Sequence, residues 1–402
     1  MNLPNEESPK RGDAGSGAST VPKNLDDLRK SITMAQIAKA AGVLQGAISS
    51  LLNDRDYGIR VSDKTRERVF KVCRELGYVP NDLRAVVRMY PEMGDFCLLL
   101  DARIAGGLRD PQVGRLAAAI MDAIPDSAHP LSIALYDPAV DYHADSAALP
   151  QPVRTGVCSK FLIFGQTSTS LCETLTRRGL PLISLGTDTA LPGVVSFVPD
   201  YALASRTALG HLAGLGHRDI GIVSGPFGST DPKIIELNRG VRLACEELRL
   251  PLDAQHIIYG ALTEEAGGAA FAEMRARKPQ PTAVFCLSDA AAAGVLAAAQ
   301  ARGLAVPGAL SVIGCGDDPC AHFAHPYLTT VHLPLEEMGE LGVREIDRLV
   351  HDAPAPAPRK IVPPVRLIQR QSCAARPAAG AGGARNLPLD APAPLTDKKR
   401  PA

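Results

Sequence analysis

The stretch ITMAQIAKAAGVLQGAISSLLND, residues 32–54, decides how the chain is read. Thr33 stands where a helix needs an N-cap hydroxyl, and Ile37 and Ala38 fall on one face of a helix predicted to run to about Ala41. Gly42 permits the left-handed backbone of a sharp turn, after which Val43, Ile48, Leu51 and Leu52 supply the inner face of a second helix. Small residues at Ala38, Gly42 and Ala47 let the two helices cross closely, with Val43 and Ile48 locking the angle, which is the spacing of a helix-turn-helix. An ordinary helical hairpin satisfies the same spacing. Either way, the exposed face of the second helix carries Gln45, Gly46, Ser49 and Ser50.

Working outward, Ser62 opens a third predicted helix whose apolar positions are Val69, Val72 and Leu76 and which Gly77 ends. Three such helices bury only a small core. The charge of the 402-residue chain is +0, yet residues 31–90 hold ten Lys/Arg against six Asp/Glu, while residues 91–373 carry a net −7. A basic head on an acidic body implies that only the head meets a polyanion. Residues 1–30 lack the apolar core of a secretory leader, and no apolar run is long enough for a membrane helix, so a mobile tail on a cytoplasmic chain is expected. Residues 374–402 are Ala-, Pro- and Gly-rich, and Leu387, Leu389 and Leu395 sustain no heptad, so a second tail is expected there. The nine cysteines form no CxxC pair and read as reduced thiols.

From residue 95 onward, short apolar runs alternate with helical stretches: FCLLL (96–100), LSIALY (131–136), FLIF (161–164), LISL (182–185), IGIVSG (220–225), AVFCLS (283–288) and LSVIGC (310–315). Helices are predicted over 200–215, 235–249, 264–277 and 289–303. This alternation is that of parallel, doubly wound α/β sheets, and the strands are too many for one sheet, so two lobes with a cleft are expected. Ligands of such sheets bind beyond the carboxyl ends of strands, which makes Asp101, Gln166, Asp188, Ser224, Asp289 and Asp317 candidate ligand-binding residues. Aspartates accept two hydroxyls in one plane and so suit a polyol, although each also fits a helix cap or loop.

The segment SDKTRERVFKVCRELGYVPNDLRAVVR (62–88) resembles the third helix and hinge of the lactose/galactose repressor family of bacterial transcription regulators. The pattern stands here as Thr65, Arg66 and Val69, then Glu75-Leu76-Gly77-Tyr78-Val79-Pro80-Asn81, and it continues in HLAGLGHRDIGIVSGP (211–226), LTEEAGGAAF (262–271), SVIGCGDDP (311–319) and YLTTVHLPLEEMG (327–339). The resemblance spans roughly residues 31–373. It implies an all-α helix-turn-helix head (31–79), a hinge helix (80–90) and a periplasmic-binding-protein-like α/β body of two doubly wound lobes (91–373). It further implies a homodimer on a palindromic double-stranded DNA operator, with a small-molecule effector, a sugar or related metabolite, modulating affinity. By the same resemblance Thr33, Gln45, Gly46, Ser49, Ser50, Asn53, Asn81, Arg84 and Val87 are DNA-contacting positions. Asp289 is also better supported as a ligand contact.

Several residues depart from the family. Leu44 replaces the usual Ser cap, and Ser50 stands where Arg is common, removing a guanine-reading pair worth about 1–3 kcal/mol of discrimination. A longer loop, 54–60, places Arg55 and Arg60 near the DNA backbone. In the hinge, Arg84 and Val87 replace Ala and a wedging Leu, so a shallower wedge is expected, or a plain linker helix packed on the body. Leu237 occupies the place of the family's ligand-facing Arg, and Arg239, about 200° further round the helix, should face away. Gly316 takes the first place of the usual Asp-Asp pair. The cluster Cys315, Asp317, Asp318, Cys320, His322 and His325 has metal-like composition but no common zinc spacing, so no metal is expected. No GxSxG, P-loop Lys or HExxH occurs, which argues against an enzyme and leaves no cofactor to assign. A solute-binding receptor or a sugar-modifying enzyme on the same scaffold is the alternative, and the basic head opposes the first.

Overall fold

The computed structural model describes residues 32–53, 61–76, 78, 87, 94–104, 106–125, 130–252, 255–351 and 359–376. The tail 1–30, the loop 54–60 and nearly all of the hinge therefore lie outside the described residues. The chain divides into two compact units between Met93 and Gly94.

The first unit contains α1 (Met34–Ala41), α2 (Gln45–Asn53) and α3 (Asp63–Leu76). Thr33 caps α1 through a reciprocal box: its hydroxyl accepts from the Gln36 amide at 3.4 Å, and Gln36 Oε1 accepts from the Thr33 amide at 2.8 Å. Gly42 ends α1 at φ 61°, with its N–H bonded to the Ala38 carbonyl. A Cβ there would meet nothing within 4 Å, so glycine is selected by the backbone angle alone. Ile37, Ala38, Ala41, Ile48, Leu51, Leu52, Val69 and Cys73 form the core. The expected third-helix face is thereby corrected: Cys73, four residues after Val69, takes the buried position, Val72 is half-buried, and Leu76 is exposed.

The second unit contains two six-stranded sheets. Lobe 1 begins with β1 (Asp95–Asp101), α4 (Pro111–Ala123), β2 (Leu131–Tyr136), α5 (Gln151–Thr155), β3 (Cys158–Phe164), α6 (Thr169–Arg177), β4 (Leu182–Leu185) and β5 (Val194–Phe197). Lobe 2 follows with α7 (Tyr201–Gly214), β6 (Ile220–Ser224), α8 (Pro232–Leu248), β7 (Ile257–Tyr259), α9 (Glu264–Ala276), β8 (Ala283–Cys286), α10 (Asp289–Ala301), β9 (Ser311–Gly316), α11 (Cys320–Phe323) and β10 (Thr329–His332). The chain then returns to lobe 1 as α12 (Leu335–His351) and β11 (Arg359–Ile361), and ends in lobe 2 as β12 (Arg366–Ile368).

The strand orders are β11-β5-β4-β3-β1-β2 and β12-β10-β9-β8-β6-β7. Every pairing is parallel except that of β12 with β10. The central strands are buried on both faces, as β3 and β9 show, because helices cover each side of a parallel sheet. Two doubly wound lobes are thus as expected, while β5, β7, β10, β11, β12, α4, α5, α6, α11 and α12 went unassigned from the sequence. The body also extends past the expected limit at 373: the Ala374 amide donates to Ser311 Oγ at 3.1 Å, and the Arg376 amide to the Leu215 carbonyl at 2.8 Å. No helix among the described residues is long and apolar enough to cross a membrane.

Candidate nucleic-acid interface and inter-lobe cleft

In the helical unit, α1 and α3 hold α2 by its buried Ala47, Ile48, Leu51 and Leu52. Gln45 and Gly46 are exposed, Ser49 and Ser50 half-buried, and Leu44 is 80% exposed just before the helix. Thr33 is exposed, with its hydroxyl engaged in the cap. An uncovered 80% of a leucine beside a polar helix face is the kind of surface that a groove floor can cover. Asn53 ends α2. Arg55, Arg60, Asn81 and Arg84 lie outside the described residues. Val87 is helical and 4% exposed, so a wedging role requires it to leave that cover.

In the body, the carboxyl ends of β1 and β9 face each other across the lobes. The proof is α4, which follows β1: its Gln112 accepts from Lys233 Nζ of α8 at 2.6 Å, and its Arg115 reaches the end of β9. Every N–H of the Arg115 guanidinium is used. Nε and Nη2 grip Glu336 at 2.7 and 2.9 Å, Nη1 donates to the Gly316 carbonyl at 2.7 Å and Asp318 Oδ1 at 3.0 Å, and Nη2 also reaches the Leu333 carbonyl at 3.3 Å. One half-buried cation thereby ties lobe 1, lobe 2 and the crossover between β10 and α12. Arg115, Glu336, Asp317, His332 and α11 also line an open depression of about 450 Å³.

Asp318 was not among the expected ligand-binding residues. Gly316 at φ 144° and Asp317 at φ 59° bend the chain after β9, and a Cβ on Gly316 would stand 2.9 Å from Asp318 Oδ2. With Gly316 in the first place expected for a carboxylate, the side chain that meets Arg115 is that of Asp318. Burial pushes its carboxyl up, opposed by the charges of Lys233 and Arg115 and by hydrogen bonds from Arg115 and Gln112.

The expected residues divide into groups. Asp101 and Gln166 come together: Asp101 Oδ1 accepts from the Arg103 amide and Nε, Oδ2 accepts from Arg103 Nη2 and the Gln166 amide, and Arg103 Nη2 also donates to Gln166 Oε1 at 2.7 Å. Beside Gln166, the Thr167 hydroxyl is buried without a partner among the described residues. Ser224 is buried and donates to Asn238 Oδ1 at 2.9 Å. Asp188 accepts from the Ala190 amide and lies 4.0 Å from Lys360.

Asp289 is fully buried behind the cleft surface, where one oxygen accepts from the Thr330 hydroxyl at 2.5 Å and the other from the Asp318 amide at 2.7 Å. It positions Asp318 instead of facing the cleft, and burial together with the Asp318 charge raises its carboxyl to about 7. Asp317 turns away toward Arg370 at 2.6 Å, His332 at 3.2 Å and His322 at 3.4 Å. Despite desolvation, the hydrogen bonds of His332 and Arg370 hold it well below the usual carboxylate range. Leu237 is buried and Arg239 pairs outward with Glu236, as the helical rotation required. Cys315 is buried in the core as part of β9, and among the described residues no three His, Cys, Asp or Glu converge in metal-binding geometry.

A helix-turn-helix joined to a two-lobed, mostly parallel body defines the class of DNA-binding regulators built on a periplasmic-binding scaffold. Residues 33–81 match bacterial regulatory proteins of the lacI family, and residues 209–373 match the periplasmic binding protein-like domain. The HTH-type transcriptional regulator DegA of Bacillus subtilis (strain 168) is 31% identical over 85% of this chain and 97% of its own length. The transcriptional repressor PurR of Proteus mirabilis (strain HI4320) is 27% identical over 86% of this chain and 98% of its own. Among solved structures, the transcriptional regulator CelR–cellobiose complex superposes with a TM-score of 0.59 at 26% identity, covering 85% of this chain and 99% of that one. The lac repressor dimer bound to operator and anti-inducer shares the fold, with a TM-score of 0.59 at 21% identity over 86% of this chain and 100% of that one. The chain belongs to the lacI family, and it is a DNA-binding transcriptional regulator, not an enzyme.

Proposed function

We propose that this regulator acts in the cytoplasm as a homodimeric repressor on a palindromic operator, and that a small metabolite taken between the lobes sets its affinity. In this reading residues 31–79 read DNA, 80–90 form the hinge helix and the body from 91 binds effector. Gln45, Gly46, Ser49 and Ser50 face base edges, while Thr33, Asn53, Arg55 and Arg60 meet phosphates and Asn81, Arg84 and Val87 meet the minor groove. The observation that carries the reading is the cross-lobe polar cluster of Gln112, Arg115, Lys233 and Asp318, which couples the lobes at the carboxyl ends of their strands, where ligands of α/β sheets bind. Support for a sugar-like effector comes from the CelR relative, whose structure holds cellobiose. A dimer accords with the exposed apolar side chains Leu108, Met121, Leu135 and Phe323 on the body.

Footprinting of the full chain on genomic DNA, followed by titration of the recovered site, tests the proposal. A palindromic site is expected, with log affinity falling against log salt at about −0.9 per phosphate neutralised. Recovery of asymmetric sites bound by a monomer, or a flat salt response, would overturn it.

A further inference from the structure

The cleft's hydrogen-bonding capacity is unevenly spent, and the remainder names a ligand chemistry. An ionised carboxylate offers about four acceptor positions. All four of Asp101 are filled, by the Arg103 amide, Nε and Nη2 and by the Gln166 amide. Asp318 is held by Arg115 and Gln112, Glu336 is gripped by Arg115 through both oxygens, and Asp188 faces Lys360. These cleft carboxylates are thus all engaged by donors of the protein, Asp101 in full.

The donors are not. Arg103 spends Nε and one Nη2 pair on Asp101 and Gln166, so its Nη1 has no partner among the described residues, and its side chain is 44% exposed. Across the cleft, Lys233 Nζ has a single, neutral partner in Gln112 Oε1, and no carboxylate lies within salt-bridge distance of it among the described residues. An ammonium brings three N–H donors, of which two remain. These two cations come from opposite lobes, Arg103 from the loop after β1 and Lys233 from the first turn of α8.

We propose that the effector is an acid, a small carboxylated or phosphorylated metabolite whose anionic group bridges Lys233 of lobe 2 and Arg103 of lobe 1. The inference rests on the effector reading above and narrows it from sugar-like molecules to their acidic derivatives. The anion takes the donors that Arg103 and Lys233 hold in reserve and displaces Gln112 from Lys233, leaving Arg115 in place. Charge-assisted hydrogen bonds of this kind discriminate strongly against the uncharged analogue.

The test is calorimetric titration of the full chain with inorganic phosphate, gluconate and glucose 6-phosphate, and with glucose and cellobiose as neutral probes. Operator affinity is measured in the presence of each. At least one acid is expected to bind and to shift operator affinity, and Lys233→Met to weaken that acid by about 10- to 100-fold, with Arg103→Met weakening it similarly. Lys233→Arg, which keeps the charge, should retain binding and shows that the Met variant's loss is not misfolding. Binding of glucose or cellobiose that ignores Lys233→Met overturns the acid proposal while leaving the effector reading intact. No heat and no change in operator affinity with any of the five probes overturns both.

Discussion

On α2 the outward residues Gln45 and Gly46 stand exposed beside an uncovered Leu44, held from below by Ile48, Leu51 and Leu52. In the body, by contrast, Arg115, Asp318 and Glu336 are turned on one another, and a single guanidinium satisfies two carboxylates and two carbonyls. The helical unit keeps scaffold and contact surface on separate faces of one helix, whereas the cleft uses the same side chains for both. A surface change on α2 should therefore alter recognition with little cost in folding, and a change in the cleft should register first as stability.

The sharpest way to break this contrast is Arg115→Met. It leaves the buried Asp318 with Lys233 and Gln112 alone and releases the part-exposed Glu336 to water, and loss of charge-assisted hydrogen bonds of this kind costs about 1.5–3 kcal/mol. Urea unfolding of the body reads it directly, and a loss under about 1 kcal/mol would show that the lobes are held by something else.

Asp289 gives the next effect. Its folded value of about 7 lies above the ordinary carboxylate value, so the folded state holds this proton through a range in which the unfolded chain has released it. Its contribution to stability is full at acid pH and declines as pH rises through about 4 to 7, by a few kcal/mol at most. Asp289→Asn should flatten the pH profile of the melting temperature over that window. An unchanged profile would place the titration elsewhere.

On the helical side, Ser50→Arg adds a bidentate donor to α2 and should change which operator is preferred, by about 1–3 kcal/mol at one base pair, with unfolding little altered. Binding-site selection that returns one consensus for both proteins would falsify the placement of Ser50 against bases. The smallest expected effect is Thr33→Ala, which removes the cap of α1 and should cost about 1 kcal/mol in melting of the helical unit. Because Thr33 is also assigned a phosphate contact but carries no charge, operator affinity should weaken with the salt slope unchanged.

What the sequence made legible follows the same division. The cap at Thr33, the turn at Gly42 and the outward rotation of Arg239 are local consequences of spacing, and all three stand as read. Leu76 misled because it shares the face of Val69 and Cys73 but is the last residue of α3, and it is exposed there. Runs such as β7 and β11, three residues each, carry too little pattern to be told from loop. Arg115 offered one faint sign, a lone cation in the otherwise apolar PQVGRLAAAIMDA, but its partners lie some two hundred residues away. Asp318 did have a signal. The Gly at 316 displaced the expected carboxylate pair, and following that shift by one residue would have led from Asp317 to Asp318.

The interleaving of the lobes bears on how the molecule is made. Sheet 1 begins at residue 95, yet its edge strand β11 and the helix α12 that covers α4 and β4 come from residues 335–361, after the central strands of lobe 2. During synthesis the helical unit emerges whole and can fold at once, while lobe 1 waits uncovered until almost the entire body has left the ribosome. A chain that stops before residue 335 therefore presents a finished DNA-reading unit on an unfinished, apolar-faced lobe, a product for chaperones and proteases and not a shorter regulator.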